Sequence, residues 1–366
     1  MNIEWVGPLT SGTGYSTVSI AYVQAIERMG ICGIRPVSMN GKYEHAWLEE
    51  ASNRRFLDPV VLFHNVPNMI KDMPSEKRKF DAIMTYFEMD RAPQEWKHFM
   101  SGAKCVITCS NYSADSLATV YPREKIHVVP LGVGTEFIPK GMMVDTNFLS
   151  YQKEMLLHDE EPLPTFKFLY VFEWVERKRP WDLLRAFREE FKEDEDVCLV
   201  LKTSSATSAI RYEINKWAKG SKVYLINDRL EDMPALYRAV DCYVSSAACE
   251  GWGEPLSEAM ACGLPTIAGE NGGNLEFMDY TNSFLVKTVG WKPIETNTME
   301  SVIKPWFMYK PVSVKSLREA MRYVFDNPTE AKKYGKKASD DMRKFSWVAS
   351  ASKLLKILES VTGVKL

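Results

Sequence analysis

The run Cys249-Glu250-Gly251-Trp252-Gly253-Glu254-Pro255-Leu256-Ser257-Glu258-Ala259-Met260-Ala261-Cys262-Gly263-Leu264-Pro265-Thr266 decides how the chain is read. Apolar stretches flank it, Cys242–Ser245 before and Thr266–Ala268 after, and both read as short buried strands. Between them Pro255–Cys262 reads as a helix, with Pro255 in the first turn, where a missing N–H costs nothing. Gly251 and Gly253 permit a backbone that wraps a small polar ligand. Glu250 lies on the loop leaving the strand and Glu258 eight positions on, in the helix. A carboxylate is a bidentate acceptor suited to vicinal hydroxyls. The helix start at Pro255, Leu256 and Ser257 suits a diphosphate, because free N–H groups and the positive dipole end point there.

Outward from this run the chain alternates strand and helix. Upstream, Phe168–Phe172, Val197–Leu201 and Val223–Ile226 read as strands, with helices at Pro180–Phe191, Ile210–Ala218 and Met233–Val240. An earlier set has strands at Ile3–Val6, Pro59–Phe63, Ala82–Tyr86, Lys104–Cys109 and Ile126–Pro130, with helices at Ser16–Met29 and from Ser113. The alternation pauses between Pro139 and Pro164 and restarts at Phe168. Two α/β halves follow, each a doubly wound parallel sheet, with ligands expected at the carboxyl ends of the strands in a cleft between them. The expected division is 1–160 for a first Rossmann-like domain and 161–345 for a second. Residues 346–366 would form a helix returning to the first domain. Thr288–Pro311 is less regular and carries Trp291, Trp306, Phe307 and Tyr309, read as packing on the second domain.

Length and composition agree with two soluble domains: 366 residues, 45% hydrophobic and 26% charged. With 46 basic and 48 acidic residues the net charge is −2, which argues against a strongly basic nucleic-acid binder. No apolar run is long enough to span a membrane, and Met1–Gly7 reads as a strand and not as a signal peptide. Seven scattered cysteines with no Cys-x-x-Cys pair read as buried free thiols in a reducing cytoplasm. No His/Asp cluster at ligand spacing is present, so neither a metal nor a cofactor is expected.

The first loop, Gly7-Pro8-Leu9-Thr10-Ser11-Gly12-Thr13-Gly14, joins a strand to a helix. It is an incomplete dinucleotide fingerprint, because Thr17 stands at the third glycine position, and no Walker lysine follows. Gly12, Thr13 and Gly14 are nevertheless placed against bound substrate, with their amides open to it. Glu88 follows the strand at Ala82–Tyr86 and is a candidate for acceptor binding or deprotonation, the alternative being an ion pair with Arg91 or another nearby base. Asn227, Asp228 and Arg229 follow Val223–Ile226, and analogy with similar folds, not the residues themselves, places them beside a nucleobase.

The Glu250 to Glu258 spacing, the continuation Glu258–Ile267, Gly272-Gly273-Asn274, Leu236–Asp241 and the segment Val129–Val133 together resemble the family 4 retaining glycosyltransferases. These are GT-B proteins with a Glu-x7-Glu signature, and the resemblance is strongest over Leu236–Gly273. It implies a transfer of a hexose from a UDP- or GDP-linked sugar to a carbohydrate or other hydroxyl acceptor, with retention and without metal. Glu258 would hold the ribose, Glu250 the donor sugar hydroxyls, and the backbone of Trp252, Gly253 and Glu254 would line that sugar. Lys178, in Glu176-Arg177-Lys178-Arg179-Pro180, matches the family's phosphate-binding lysine. The partner arginine is missing at its usual place, where Phe172 and Glu173 stand, and Arg177 is the candidate substitute. His64 would face the donor sugar from a strand end, the alternative being a satisfied structural histidine. The alternatives are a non-catalytic sugar-nucleotide-binding protein on the same fold, or a transferase whose acceptor is a modified base in DNA.

Overall fold

The computed structural model describes residues 1–10, 12–75, 78–139, 163–294 and 306–366. The chain forms two compact units, 1–132 together with 344–366, and 133–343. The first unit thus ends at Gly132, earlier than position 160, and most of the expected crossing lies outside the described residues.

The first unit is built on six parallel strands: β1 (Asn2–Gly7), β2 (Gly33–Ser38), β3 (Val60–His64), β4 (Ala82–Met84), β5 (Cys105–Thr108) and β6 (Ile126–Val128). Their order is β2-β1-β3-β4-β5-β6, with Ile3 opposite Val60 and Ile83 opposite Val106. Ile3, Trp5, Leu62, Phe63, Ile83 and Val106 are fully buried, as a sheet covered on both faces requires. Helix α1 (Gly14–Met29) is capped by Thr13, whose hydroxyl accepts from the Ser16 amide at 3.2 Å, and ends at Gly30 with φ 63°. Short helices α2 (Ala46–Ser52), α3 (Trp96–Met100) and α4 (Asn111–Leu117) complete the layers.

The second unit repeats the plan with β7 (Phe166–Val171), β8 (Val197–Lys202), β9 (Val223–Ile226), β10 (Cys242–Val244), β11 (Thr266–Gly269) and β12 (Phe284–Val286). The order is β12-β11-β10-β7-β8-β9, all parallel. Its helices are α5 (Pro180–Glu190), α6 (Ser208–Trp217), α7 (Met233–Arg238), α8 (Glu254–Ala261), α9 (Val314–Asp326) and α10 (Pro328–Met342). The tail, α11 (Trp347–Thr362), leaves this unit and packs on α1 of the first. Trp347 meets Tyr22 edge-on at 5.3 Å, and the Ser350 hydroxyl donates to the Pro130 carbonyl at 2.7 Å.

Within Thr288–Pro311, β13 (Lys292–Pro293) pairs antiparallel with β14 (Met308–Tyr309), and residues 295–305 lie outside the described set. Phe307 and Tyr309 are buried, whereas Trp291 and Trp306 are exposed, so packing holds for only part of that segment. No helix among the described residues is long and apolar enough to cross a membrane. All seven cysteines are free thiols.

Candidate active site

The site begins where β10 gives way to α8. Gly253 has φ 95°, a left-handed conformation that a Cβ would strain, and that Cβ would also come within 2.9 Å of Leu256 Cδ1. The turn lets the Leu256 and Ser257 amides reach back to the Gly253 carbonyl at 3.0 and 3.1 Å. A second glycine run supports the loop from below. The Gly273 amide donates to the Glu250 carbonyl at 2.7 Å, and a Cβ on Gly272 would lie 2.7 Å from that same oxygen. The backbone of Glu250 is therefore fixed before its side chain is considered.

Lys178 comes from the loop after β7. Its carbonyl accepts from the Tyr170 hydroxyl at 2.8 Å and from the Ser246 hydroxyl at 2.9 Å. The Ala248 amide donates to the Arg177 carbonyl at 2.8 Å. These bonds fasten the β7 loop to the β10 loop, and the side chains meet as a consequence. The Lys178 ammonium donates to Glu250 Oε1, and the Arg177 guanidinium lies 3.5 Å from Oε2. All three groups are nearly buried, so water screens the pairing weakly. Arg179 is occupied elsewhere, donating to Asp182 at 2.7 Å and to Glu176 at 2.8 Å.

The Tyr237 hydroxyl donates to Glu258 Oε2 at 2.7 Å. Burial pushes the Glu258 carboxyl up to about 7, the Tyr237 bond opposes this, and the charge of Glu136 adds to it. Glu254, half-buried in the first turn of α8, is pushed up to about 8, first by burial and then by the charge of Glu258, with Lys178 opposing. A chain of carboxylates thus runs along α8, with two cations at its open end.

Other expected residues lie differently. The Trp252 ring is buried against Phe277 at 4.8 Å, and Leu256 is buried, so only their backbones can line a ligand. Pro255 stands in the first turn of α8, as expected. Asn227 is half-buried and its amide is engaged within the protein. It accepts from the Ala206 amide at 3.0 Å and donates to the Ala206 carbonyl at 2.8 Å, tying two loops together.

In the first unit Gly12, Thr13 and Gly14 are exposed at the start of α1. His64 requires a correction to the expected ligand contact, because it is fully buried. Nδ1 shares a hydrogen bond with the Ser19 hydroxyl at 2.7 Å and Nε2 one with the Tyr86 hydroxyl at 3.0 Å. Trp5, Tyr15 and Tyr86 surround the ring at 5.1 to 5.5 Å, and burial pushes its pKa down to about 3. It is a neutral structural group. Glu88 is half-buried, and its carbonyl accepts from the Tyr112 hydroxyl at 2.9 Å. Arg91 pairs with Asp90 at 2.6 Å and not with Glu88.

Two buried polar residues were not singled out by sequence reasoning. Tyr237 stood inside the quoted Leu236–Asp241 run, but its bond to Glu258 bridges two helices and has no local signal. Lys202 ends an apolar strand, and only its burial sets it apart. Among the described residues no group of three or more His, Cys, Asp or Glu could hold a metal ion.

Comparison with known proteins agrees with this architecture. The chain is 26% identical over 302 residues to spore coat protein SA of Bacillus subtilis, covering 76% of this chain and 77% of that protein. It is 27% identical over 177 residues to a probable sucrose-phosphate synthase of Thermosipho melanesiensis, covering 46% of this chain and 38% of that one. Among solved structures, a glycosyltransferase from Rickettsia africae aligns with TM-score 0.70 at 16% identity, covering 100% of this chain and 99% of its own. Anabaena Alr3699/HepE, in complex with UDP and glucose, aligns with TM-score 0.69 at 14% identity, covering 98% and 100%. The fold is therefore that of the GT-B glycosyltransferases, with two Rossmann-like α/β units, and residues 157–294, which hold Lys178, Glu250 and Glu258, match the model of glycosyl transferases group 1.

Proposed function

We propose that the chain transfers a hexose from a UDP- or GDP-linked sugar to a carbohydrate or other hydroxyl acceptor, with retention at the anomeric carbon and without a metal ion. One observation carries the reading: Lys178 and Arg177 converge on Glu250 in the loop before α8, while Tyr237 orients Glu258 within that helix. Cations beside a helix N-terminus stabilise a leaving diphosphate as its charge grows. A carboxylate held by a phenol accepts from ribose hydroxyls. The match to glycosyl transferases group 1 and the UDP bound in the Anabaena structure support the same chemistry.

In this reading Lys178 and Arg177 turn from Glu250 toward the diphosphate, and Glu250 is released to the sugar hydroxyls. The bond from the anomeric carbon to the phosphate oxygen breaks, and the acceptor oxygen bonds to that carbon on the same face. The acceptor proton passes to the departing phosphate oxygen. Gly12, Thr13, Gly14 and Glu88 are assigned to substrate on the first unit.

The experiment is a panel of sugar nucleotides screened by thermal shift, followed by assay for free nucleoside diphosphate with mixed hydroxyl acceptors. A ligand that binds only the native state raises the melting temperature. Stabilisation by a UDP- or GDP-linked sugar together with nucleoside diphosphate release supports transfer. Binding without release across all acceptors contradicts it and favours a non-catalytic binding protein.

A further inference from the structure

The antiparallel pair β13–β14 stands on the two segments that build the candidate site. The Lys310 amide donates to the carbonyl of Ala248, two residues before Glu250, at 3.2 Å. The Asn271 side-chain amide donates to the Ala247 carbonyl at 3.0 Å and to the Lys310 carbonyl at 2.6 Å. The Tyr309 hydroxyl accepts from Arg179 at 3.0 Å and donates to Glu176 at 3.1 Å, at the turn that carries Lys178. β14 is thus fastened both to the loop of Glu250 and to the turn of Lys178. Two residues of chain span at most about 7 Å, so the Ala248 anchor of Lys310 lies close to Glu250.

The pair has two unlike faces, because side chains alternate along a strand. Ile294, Phe307 and Tyr309 are buried. On the other face Trp291 and Pro293 are exposed, and Met308 and Lys310 are half-buried. The Lys310 ammonium lies 4.6 Å from the centre of the Trp291 ring, which places both side chains on that open face. Among the described residues no carboxylate pairs with Lys310. Trp291 is 46% exposed, and Trp306, just before β14, is 67% exposed. Residues 287–294 and 306–313 carry Lys287, Lys292 and Lys310 and no carboxylate.

This surface selects its occupant by chemistry. One face of a pyranose ring carries C–H groups and stacks on an indole, while an acidic group on the sugar pairs with the ammonium. A lipid surface is a poorer match, because two exposed indoles on so short a strand pair offer little apolar area to insert.

We propose that Trp291 and Lys310 form an acceptor platform for an anionic oligosaccharide, the indole stacking on a sugar ring next to the reacting one and the ammonium pairing with its acidic group. The inference rests on the transferase reading above and narrows its acceptor from any hydroxyl compound to an acidic glycan. The platform belongs to the second unit and takes no part in holding the donor.

The test is calorimetric titration of the full chain and its Trp291→Ala and Lys310→Met variants. The titrants are hexagalacturonate, a heparin hexasaccharide, neutral cellohexaose, phosphatidylglycerol vesicles, UDP and GDP. Trp291 is exposed, and methionine keeps most of the lysine volume, so neither substitution threatens folding. The wild type is expected to bind at least one acidic hexasaccharide about tenfold more tightly than cellohexaose. Trp291→Ala is expected to weaken that binding about fivefold, and Lys310→Met to remove most of the preference for the acidic sugar. UDP or GDP affinity stays within twofold of wild type in both variants. Failure of the wild type to bind either acidic hexasaccharide overturns the platform. Undiminished glycan binding in either variant also overturns it, as does Trp291-dependent binding to the vesicles with none to the hexasaccharides. In each of those cases wild-type binding of UDP or GDP upholds the transferase reading. A wild type that binds neither nucleotide overturns that reading and the acceptor platform with it.

Discussion

The Tyr237 hydroxyl, on α7, donates to Glu258 Oε2, on α8, across 2.7 Å. This bond opposes the burial that raises the Glu258 pKa. Tyr237→Phe removes it and leaves the ring, so the carboxyl moves further up and holds less charge at neutral pH. UDP affinity at pH 7 is expected to fall about three- to tenfold, with a smaller loss at pH 9, where Glu258 is ionised in both proteins. Calorimetric titration at the two pH values checks this, and equal losses at both count against the tyrosine acting through the carboxyl.

Glu254 gives a stability test with a defined sign. Its native pKa, about 8, lies above the ordinary 4.5. Between those values the native state keeps a proton that the unfolded chain has released, so this group's contribution to stability declines as pH rises and levels off above about 8. Glu254→Gln removes the titration. The variant's melting temperature relative to wild type is expected to rise from pH 5 to pH 9, and a constant difference contradicts the assignment.

His64 tests the opposite sign. Its native pKa of about 3 lies below 6.5, so the unfolded chain takes up the proton first, and this contribution is present above 6.5 and lost as pH falls. His64→Ala leaves the Ser19 and Tyr86 hydroxyls without their shared bonds to the ring. A loss of about 2–4 kcal/mol in urea unfolding is expected, with UDP affinity within twofold of wild type. A large affinity loss with unchanged stability makes it a ligand contact instead.

Gly335→Ala tests packing against propensity. Alanine is better than glycine in a helix by ~1 kcal/mol, but a Cβ here would lie 2.1 Å from the Gly263 carbonyl oxygen on the partner segment. Backbone cannot yield cheaply, so a net loss of about 1–3 kcal/mol is expected by denaturant unfolding. Gly102→Ala meets nothing within 4 Å and serves as the control, expected near neutral.

The legible part of this protein was what repeats locally. Apolar runs such as Val197–Leu201 and Val223–Ile226 marked buried strands; the second has the expected ends, and the first runs one residue further, to Lys202, because register, not composition, ends a ladder. Lys178, Glu250 and Glu258 were visible because their chemistry sits in one glycine-rich loop and one other turn. What escaped depends on neighbours distant in sequence. His64 stands at a strand end, as expected, but Ser19 and Tyr86 close around it. Asn227 also follows its strand, yet Ala206 takes its amide. Tyr237 and Lys202 gain their meaning from Glu258 and from burial, neither of which a local pattern encodes.

The central claim is that Glu258 binds the donor nucleotide while Glu250, paired with Lys178, serves the transfer step. The direct measurement is donor affinity and turnover in Glu250→Ala and Glu258→Ala, with the productive sugar nucleotide from the screen. The account predicts that Glu258→Ala raises the donor Kd at least tenfold. It predicts that Glu250→Ala lowers kcat at least a hundredfold with a smaller change in Kd. Wild-type affinity and turnover in both variants would contradict it.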